Sequence, residues 1–153
     1  MAIYYFDSSA AVKKYVAEQG TSWILSLVKP SAKNIIYLAQ ITGVEVVSAI
    51  SRRYRNGGLT QNAAQKSIAR FKRDFQNRLR MLRLTDNVIT GAMNFSETHG
   101  LRGYDAVQLA VAVELKNRFK VQTLSTIVFV SANNNLNAAA NAEGLTVDNP
   151  NNH

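Results

Sequence analysis

At 153 residues with no cysteine, the chain is sized for one domain that buries its own core, without a disulfide framework or a thiolate metal site. A formal charge of +8 points to a polyanionic partner, because clustered Lys and Arg gain affinity for phosphate backbones by releasing counterions. No uncharged apolar stretch is long enough to span a bilayer, and Asp7 stands where a secretory signal would continue its apolar run, so neither a membrane protein nor a secreted one is expected; the lack of cysteine suits a reducing cytoplasm.

Ile3-Tyr4-Tyr5-Phe6-Asp7 reads as a strand buried on both faces that ends on a carboxylate, followed by Ser8-Ser9. In an open parallel sheet, ligands bind off the carboxyl ends of such strands. Ser8 to about Glu18 reads as a helix stopping at Gly20, and Thr21-Ser22 as the cap of a second one ending at Pro30. Ile35 to Ala39 is a second compact apolar strand. Ile41 to Arg55 forms a helix broken by Asn56-Gly57-Gly58, and Leu59-Thr60 opens another, with Ala64, Ile68, Phe71 and Phe75 on one stripe. Met81 to Leu84 is a short third strand, and Asp86 caps a helix running to His99-Gly100, where His99 suits the helix carboxyl end as a cation. Tyr104 to Phe119 is apolar almost all round, and such a helix must be buried on most of its surface. Thr126 to Ser131 is a strand, an Ala-rich helix follows to Glu143, and Leu145 to Asp148 adds an edge strand. Residues 1–148 thus read as a single α/β domain, a central parallel sheet sandwiched by helices in three layers, with 149–153 a disordered polar tail.

Charge is unevenly placed. Arg52, Arg53, Arg55, Lys66, Arg70, Lys72, Arg73, Arg78, Arg80 and Arg83 share a stretch whose one acid is Asp74. That bias favours nucleic acid, and an acidic protein partner explains it nearly as well.

Three acids stand out. Asp7 ends a buried strand, Glu45 lies within Val44-Glu45-Val46-Val47, and Asp105 opens the most apolar helix. Each has an ordinary explanation: Asp7 and Asp105 as helix N-caps, Glu45 as a partner of Arg52 or Arg53. Taken together, on elements that meet at one edge of the sheet, they form a cluster of carboxylates, for which the usual remedy is a divalent cation. Oxygen ligands without Cys or a well-placed His favour Mg²⁺ or Mn²⁺ over Zn²⁺. An ion held by Asp7 and Asp105, with Glu45 a third metal-site residue that orients or deprotonates water, is suited to phosphodiester hydrolysis, and Arg102 is a candidate phosphate contact.

Tyr5-Phe6-Asp7-Ser8-Ser9-Ala10, Ile41-Thr42-Gly43-Val44-Glu45-Val46, Leu101-Arg102-Gly103-Tyr104-Asp105-Ala106-Val107-Gln108-Leu109-Ala110 and Phe129-Val130-Ser131-Ala132-Asn133 resemble the PIN-domain family, specifically VapC-type toxin ribonucleases. The resemblance spans almost the whole chain in the family's order. It implies Mg²⁺- or Mn²⁺-dependent cleavage of RNA by a homodimer that a small antitoxin neutralises. By position, Asp7, Glu45 and Asp105 match the family's three leading acids, and Ser8 its small hydroxyl residue. Arg52, Arg53 and Arg55 then become candidates to hold the RNA backbone. One position departs: the family's fourth acid is Asn133 here, followed by Asn134 and Asn135. An amide offers a carbonyl oxygen but no negative charge. A second reading is therefore an RNA- or protein-binding module that keeps the fold and has lost turnover. A phosphoacceptor receiver or a haloacid-type phosphatase fits worse, since the latter needs a second Asp where Ser9 stands.

Overall fold

The computed structural model describes residues 1–77, 79–122 and 126–153. Arg78 of the basic stretch lies outside the described residues. The strands are β1 (Ile3–Phe6), β2 (Ile35–Ala39), β3 (Arg80–Leu82), β4 (Ile127–Val130) and β5 (Thr146–Asp148). All pair in parallel, in the order β3-β2-β1-β4-β5. The helices are α1 (Ser8–Ala11), α2 (Thr21–Val28), α3 (Thr42–Arg55), α4 (Gln61–Asn77), α5 (Asp86–His99), α6 (Gly103–Gln122) and α7 (Asn134–Ala142).

Side chains alternate across a strand, so β1 feeds two cores. Tyr5 joins Leu109, Phe129 and Leu136 under α5, α6 and α7, while Phe6 joins Leu38, Ile50, Phe71 and Val130 under α1 to α4. The register Tyr5↔Phe129 stacks the two rings with centroids 5.6 Å apart, and β4, like β1, is buried on both faces. These layers make the three-layer α/β/α sandwich expected from the strand and helix order. The near-uniform apolarity of α6 follows from its place against the sheet and beside α5. Among the described residues, no helix is long and apolar enough to cross a membrane.

Local departures have identifiable causes. The first helix ends at Ala11 and tightens into a 3₁₀ turn over Val12–Lys14, well short of Glu18. Buried Lys13 reaches back to Glu18 Oε1 at 3.1 Å and the Gln19 carbonyl at 2.8 Å, which folds this segment over. Gly20, at φ +82°, is the N-cap of α2, while the Thr21 hydroxyl accepts from the Glu18 N–H. Thr85, not Asp86, caps α5 by accepting from the Val88 N–H at 3.2 Å, and β3 begins one residue earlier than expected. The polar end of the chain is placed against the domain. Pro150–Asn152 form a 3₁₀ turn capped by Asn149, Pro150 is buried, and His153 stacks on Trp23 with ring centroids 4.1 Å apart.

Candidate active site

The sheet order reverses direction at β1: the chain moves outward through β2 and β3, then crosses to β4 and β5 on the other side. That switch point is where open α/β sheets bind ligands, at the carboxyl ends of the strands. Asp7 follows β1 and Ser131 follows β4; Glu45 lies in the first turn of α3, Asp105 in the first turn of α6, and Asn133 is the N-cap of α7.

These side chains form two hydrogen-bonded groups, one holding Asp7 and Asp105 and the other Glu45, which meet at the adjacent residues Ser8 and Ser9. Asp7 is 3% exposed. Its Oδ1 accepts from the Ser9 hydroxyl at 2.7 Å and the Ala10 N–H at 2.9 Å, and its Oδ2 from the Ser131 hydroxyl at 2.7 Å. Asp7 therefore does cap α1, and it does so at the switch point. Ser131 Oγ accepts in turn from the Asn133 N–H at 3.0 Å, and Asn133 Nδ2 donates to Asp105 Oδ2 at 3.2 Å. Across β1, Ser8 Oγ donates to Glu45 Oε2 at 2.8 Å and Gln108 Nε2 to Glu45 Oε1 at 2.7 Å.

Two of the ordinary explanations for the other two acids do not hold. Arg53 pairs with Glu18 rather than Glu45, and Asp105 is the third residue of its helix rather than its cap.

Electrostatics tie the acids together. Burial pushes the Asp7 carboxyl up from 3.8 to about 6, its three hydrogen bonds opposing and the charge of Glu45 adding to the rise. Burial also raises Glu45, with Gln108 and Ser8 opposing and Asp105 adding to it. Asp105 is raised by burial against the pull of Arg102 and Asn133. All three hold their protons more tightly than usual, chiefly because burial disfavours the charged form, with Glu45 adding to the rise of Asp7 and Asp105 to that of Glu45.

The donor set, carboxylate and hydroxyl oxygen, is of the kind that suits a hard divalent cation. As placed, the carboxylates turn to hydroxyl and amide protons, and among the described residues no group of three or more His, Cys, Asp or Glu side chains is arranged to hold an ion. A cavity of about 550 Å³ opens beside this network, lined by Ser8, Ser9, Glu45, Arg52, Arg53 and Tyr104 among others. Asp7, Asp105, Arg55 and Arg102 are not part of its lining. Arg52 is exposed and lines the cavity, Arg53 is tethered to Glu18, Arg55 is exposed on α3, and Arg102 is exposed next to Asp105. Asn133 Oδ1 is occupied by the N–H groups of Asn135 and Leu136.

Reading residues in chain order misses Ser9, Ser131, Tyr5 and Gln108. Only Gln108 left a trace, as the single amide within Ala106 to Val113.

No protein-family model matches the chain. It is 33% identical to ribonuclease VapC45 of Mycobacterium tuberculosis over 113 residues, 74% of this chain and 76% of that protein. Ribonuclease VapC49 of the same species matches equally, at 33% over the same shares. Among solved structures, the fold is similar to VapBC2 from Rickettsia felis bound to a DNA fragment from its promoter, with a TM-score of 0.61 at 16% identity, covering 96% of this chain and 98% of that one. It is also similar to a toxin-antitoxin complex from Klebsiella pneumoniae, with a TM-score of 0.59 at 15% identity and 98% of both chains covered. The chain belongs to the VapC family of PIN-domain ribonucleases, by 33% identity across 74% of its length.

Proposed function

We propose that this chain is a metal-dependent endoribonuclease, the toxin of a toxin-antitoxin pair, acting on RNA in the cytoplasm as a homodimer. The observation that supports the reading is that Asp7, Glu45 and Asp105, from three elements, lie at the switch point of the sheet close enough for Glu45 to act on Asp7 and Asp105 on Glu45. Glu45 raises the proton affinity of Asp7, and Asp105 that of Glu45, on top of the larger effect of burial, and acids perturbed in this way cluster at functional sites. Asp7 and Asp105 would hold Mg²⁺ or Mn²⁺. Such an ion, when bound, stabilises charge on the phosphoryl oxygens and makes water more acidic.

Glu45 is the acid of this group that lines the cavity, and burial raises its carboxyl, which makes it a stronger base toward water than an ordinary carboxylate. Ser8 holds its Oε2 in place. Arg102 offers a guanidinium to a phosphate beside Asp105, and Arg52, Arg53 and Arg55 on α3 offer sequence-independent contacts to the RNA backbone. Relatives named ribonucleases support the activity, and fold similarity to chains from toxin-antitoxin complexes supports an antitoxin partner.

The second reading, an RNA- or protein-binding module without turnover, is favoured by one observation: Asn133 supplies no charge and spends its oxygen on capping α7. Incubating purified protein with labelled RNA in Mg²⁺, Mn²⁺ or EDTA separates the two. Cleavage that needs the metal and stops in EDTA is expected; RNA binding without cleavage in either metal would establish the second reading instead.

A further inference from the structure

The network around Glu45 continues into the core. Gln108 is 1% exposed, in the most apolar stretch of α6, between Ala106, Leu109 and Val111. Burying an amide is costly unless its hydrogen bonds are replaced, and a side chain of hydrocarbon would fill this space more cheaply. The amide is fully engaged. The Tyr5 hydroxyl donates to its Oε1 at 2.6 Å, and its Nε2 donates to Thr42 Oγ1 at 2.9 Å and to Glu45 Oε1 at 2.7 Å.

Its orientation is determined. A carboxylate only accepts, so the nitrogen must face Glu45, and the oxygen then faces the Tyr5 hydroxyl, which has a proton to give. Tyr5 is in turn immobile, 0% exposed and stacked on Phe129 with ring planes 9° apart. With Ser8 on Oε2, both oxygens of Glu45 are held by donors anchored to rigid elements.

We propose that Gln108 is the positioning residue for Glu45, and that the Tyr5 hydroxyl locks the Gln108 amide in the orientation that does so. This rests on the reading of Glu45 as the group that activates water. Misplacing such a group by a fraction of an ångström slows the chemical step without weakening substrate binding. Gln108→Met keeps the length and bulk of the side chain and removes the amide; Tyr5→Phe keeps the ring stack and removes the lock.

The test is metal-dependent RNA cleavage, resolved into kcat and KM, for Gln108→Met, Tyr5→Phe and Glu45→Gln, with melting temperatures alongside. Gln108→Met is expected to lower kcat by about tenfold or more with KM within about twofold. Tyr5→Phe should move kcat the same way by less. Wild-type kcat in both, or kcat and KM worsening together with a lowered melting temperature, overturns the proposal by reducing Gln108 to a packing residue. Should Gln108→Met fail to fold, Tyr5→Phe decides on the same criteria. Glu45→Gln separates the two levels. If it cleaves at the wild-type rate, the reading of Glu45 falls and the positioning role with it; if it is inactive while Gln108→Met is fully active, the positioning role alone falls.

Discussion

Asp7 is where this chain gives up stability. It caps α1 and is almost wholly buried, and burial displaces its carboxyl from 3.8 to about 6. A folded-state value above the unfolded one means that the native protein binds the proton more readily. The stability this group contributes is therefore present below pH 3.8 and is lost as pH rises through about 6. The displacement corresponds to on the order of 3 kcal/mol at most between the two ends. Asp7→Asn removes the titration and keeps the cap, since Asn serves there as well as Asp. Melting temperatures of the two proteins in EDTA should therefore lie furthest apart at neutral pH, with the variant higher, and converge as pH falls toward 4. Glu45 and Asp105 shift in the same direction in both proteins and largely cancel in the comparison. A gap that is constant with pH, or that widens in acid, would contradict the assignment.

At the level of elements, α6 and α7 meet in the site through one hydrogen bond, Asn133 Nδ2 to Asp105 Oδ2. Asn133→Asp retains the cap of α7 but sets a second carboxylate against Asp105. Without a cation the two repel, and we expect a loss of about 1–2 kcal/mol in EDTA that Mn²⁺ restores, together with tighter metal binding and faster cleavage. Thermal melts with and without Mn²⁺ check this; an equal shift in both would place Asn133 outside any metal site. The same two elements illustrate what was legible in the sequence. β1 and β4 were readable because strands buried on both faces are apolar runs, and α6 because its middle turns, from Ala106 to Ala112, are buried on most of their surface. The boundaries of α1 and the fate of the tail were not, because they depend on packing between residues distant in sequence. Lys13 turns inward to Glu18, and Gly20 passes so close to Pro150 that a Cβ would lie 2.3 Å from its carbonyl oxygen, which is how a polar end comes to be packed. The three acids were legible as misfits within apolar runs; Ser9 and Ser131 were not, since small hydroxyl residues fit any loop.

The whole molecule sets its three site acids beside a basic flank. The excess charge lies on α3 and α4, and Arg52 brings it to the cavity mouth next to Glu45. Replacing Arg52, Arg53 and Arg55 with Ala should weaken RNA binding for all sequences and reduce the slope of log affinity against log salt, by about 0.7 for each phosphate of a single strand that is no longer neutralised. Arg53 should contribute least, because Glu18 already holds it. Unchanged affinity and slope in a salt titration would assign that face to a protein partner.

The central claim is that the buried acids serve chemistry at the expense of the fold. Asp7→Asn tests it in a single comparison, RNA cleavage in Mn²⁺ beside the melting temperature in EDTA at neutral pH. The account predicts that cleavage is abolished while the melting temperature is unchanged or raised. Normal cleavage with a lowered melting temperature would contradict it, leaving Asp7 as a helix cap and nothing more.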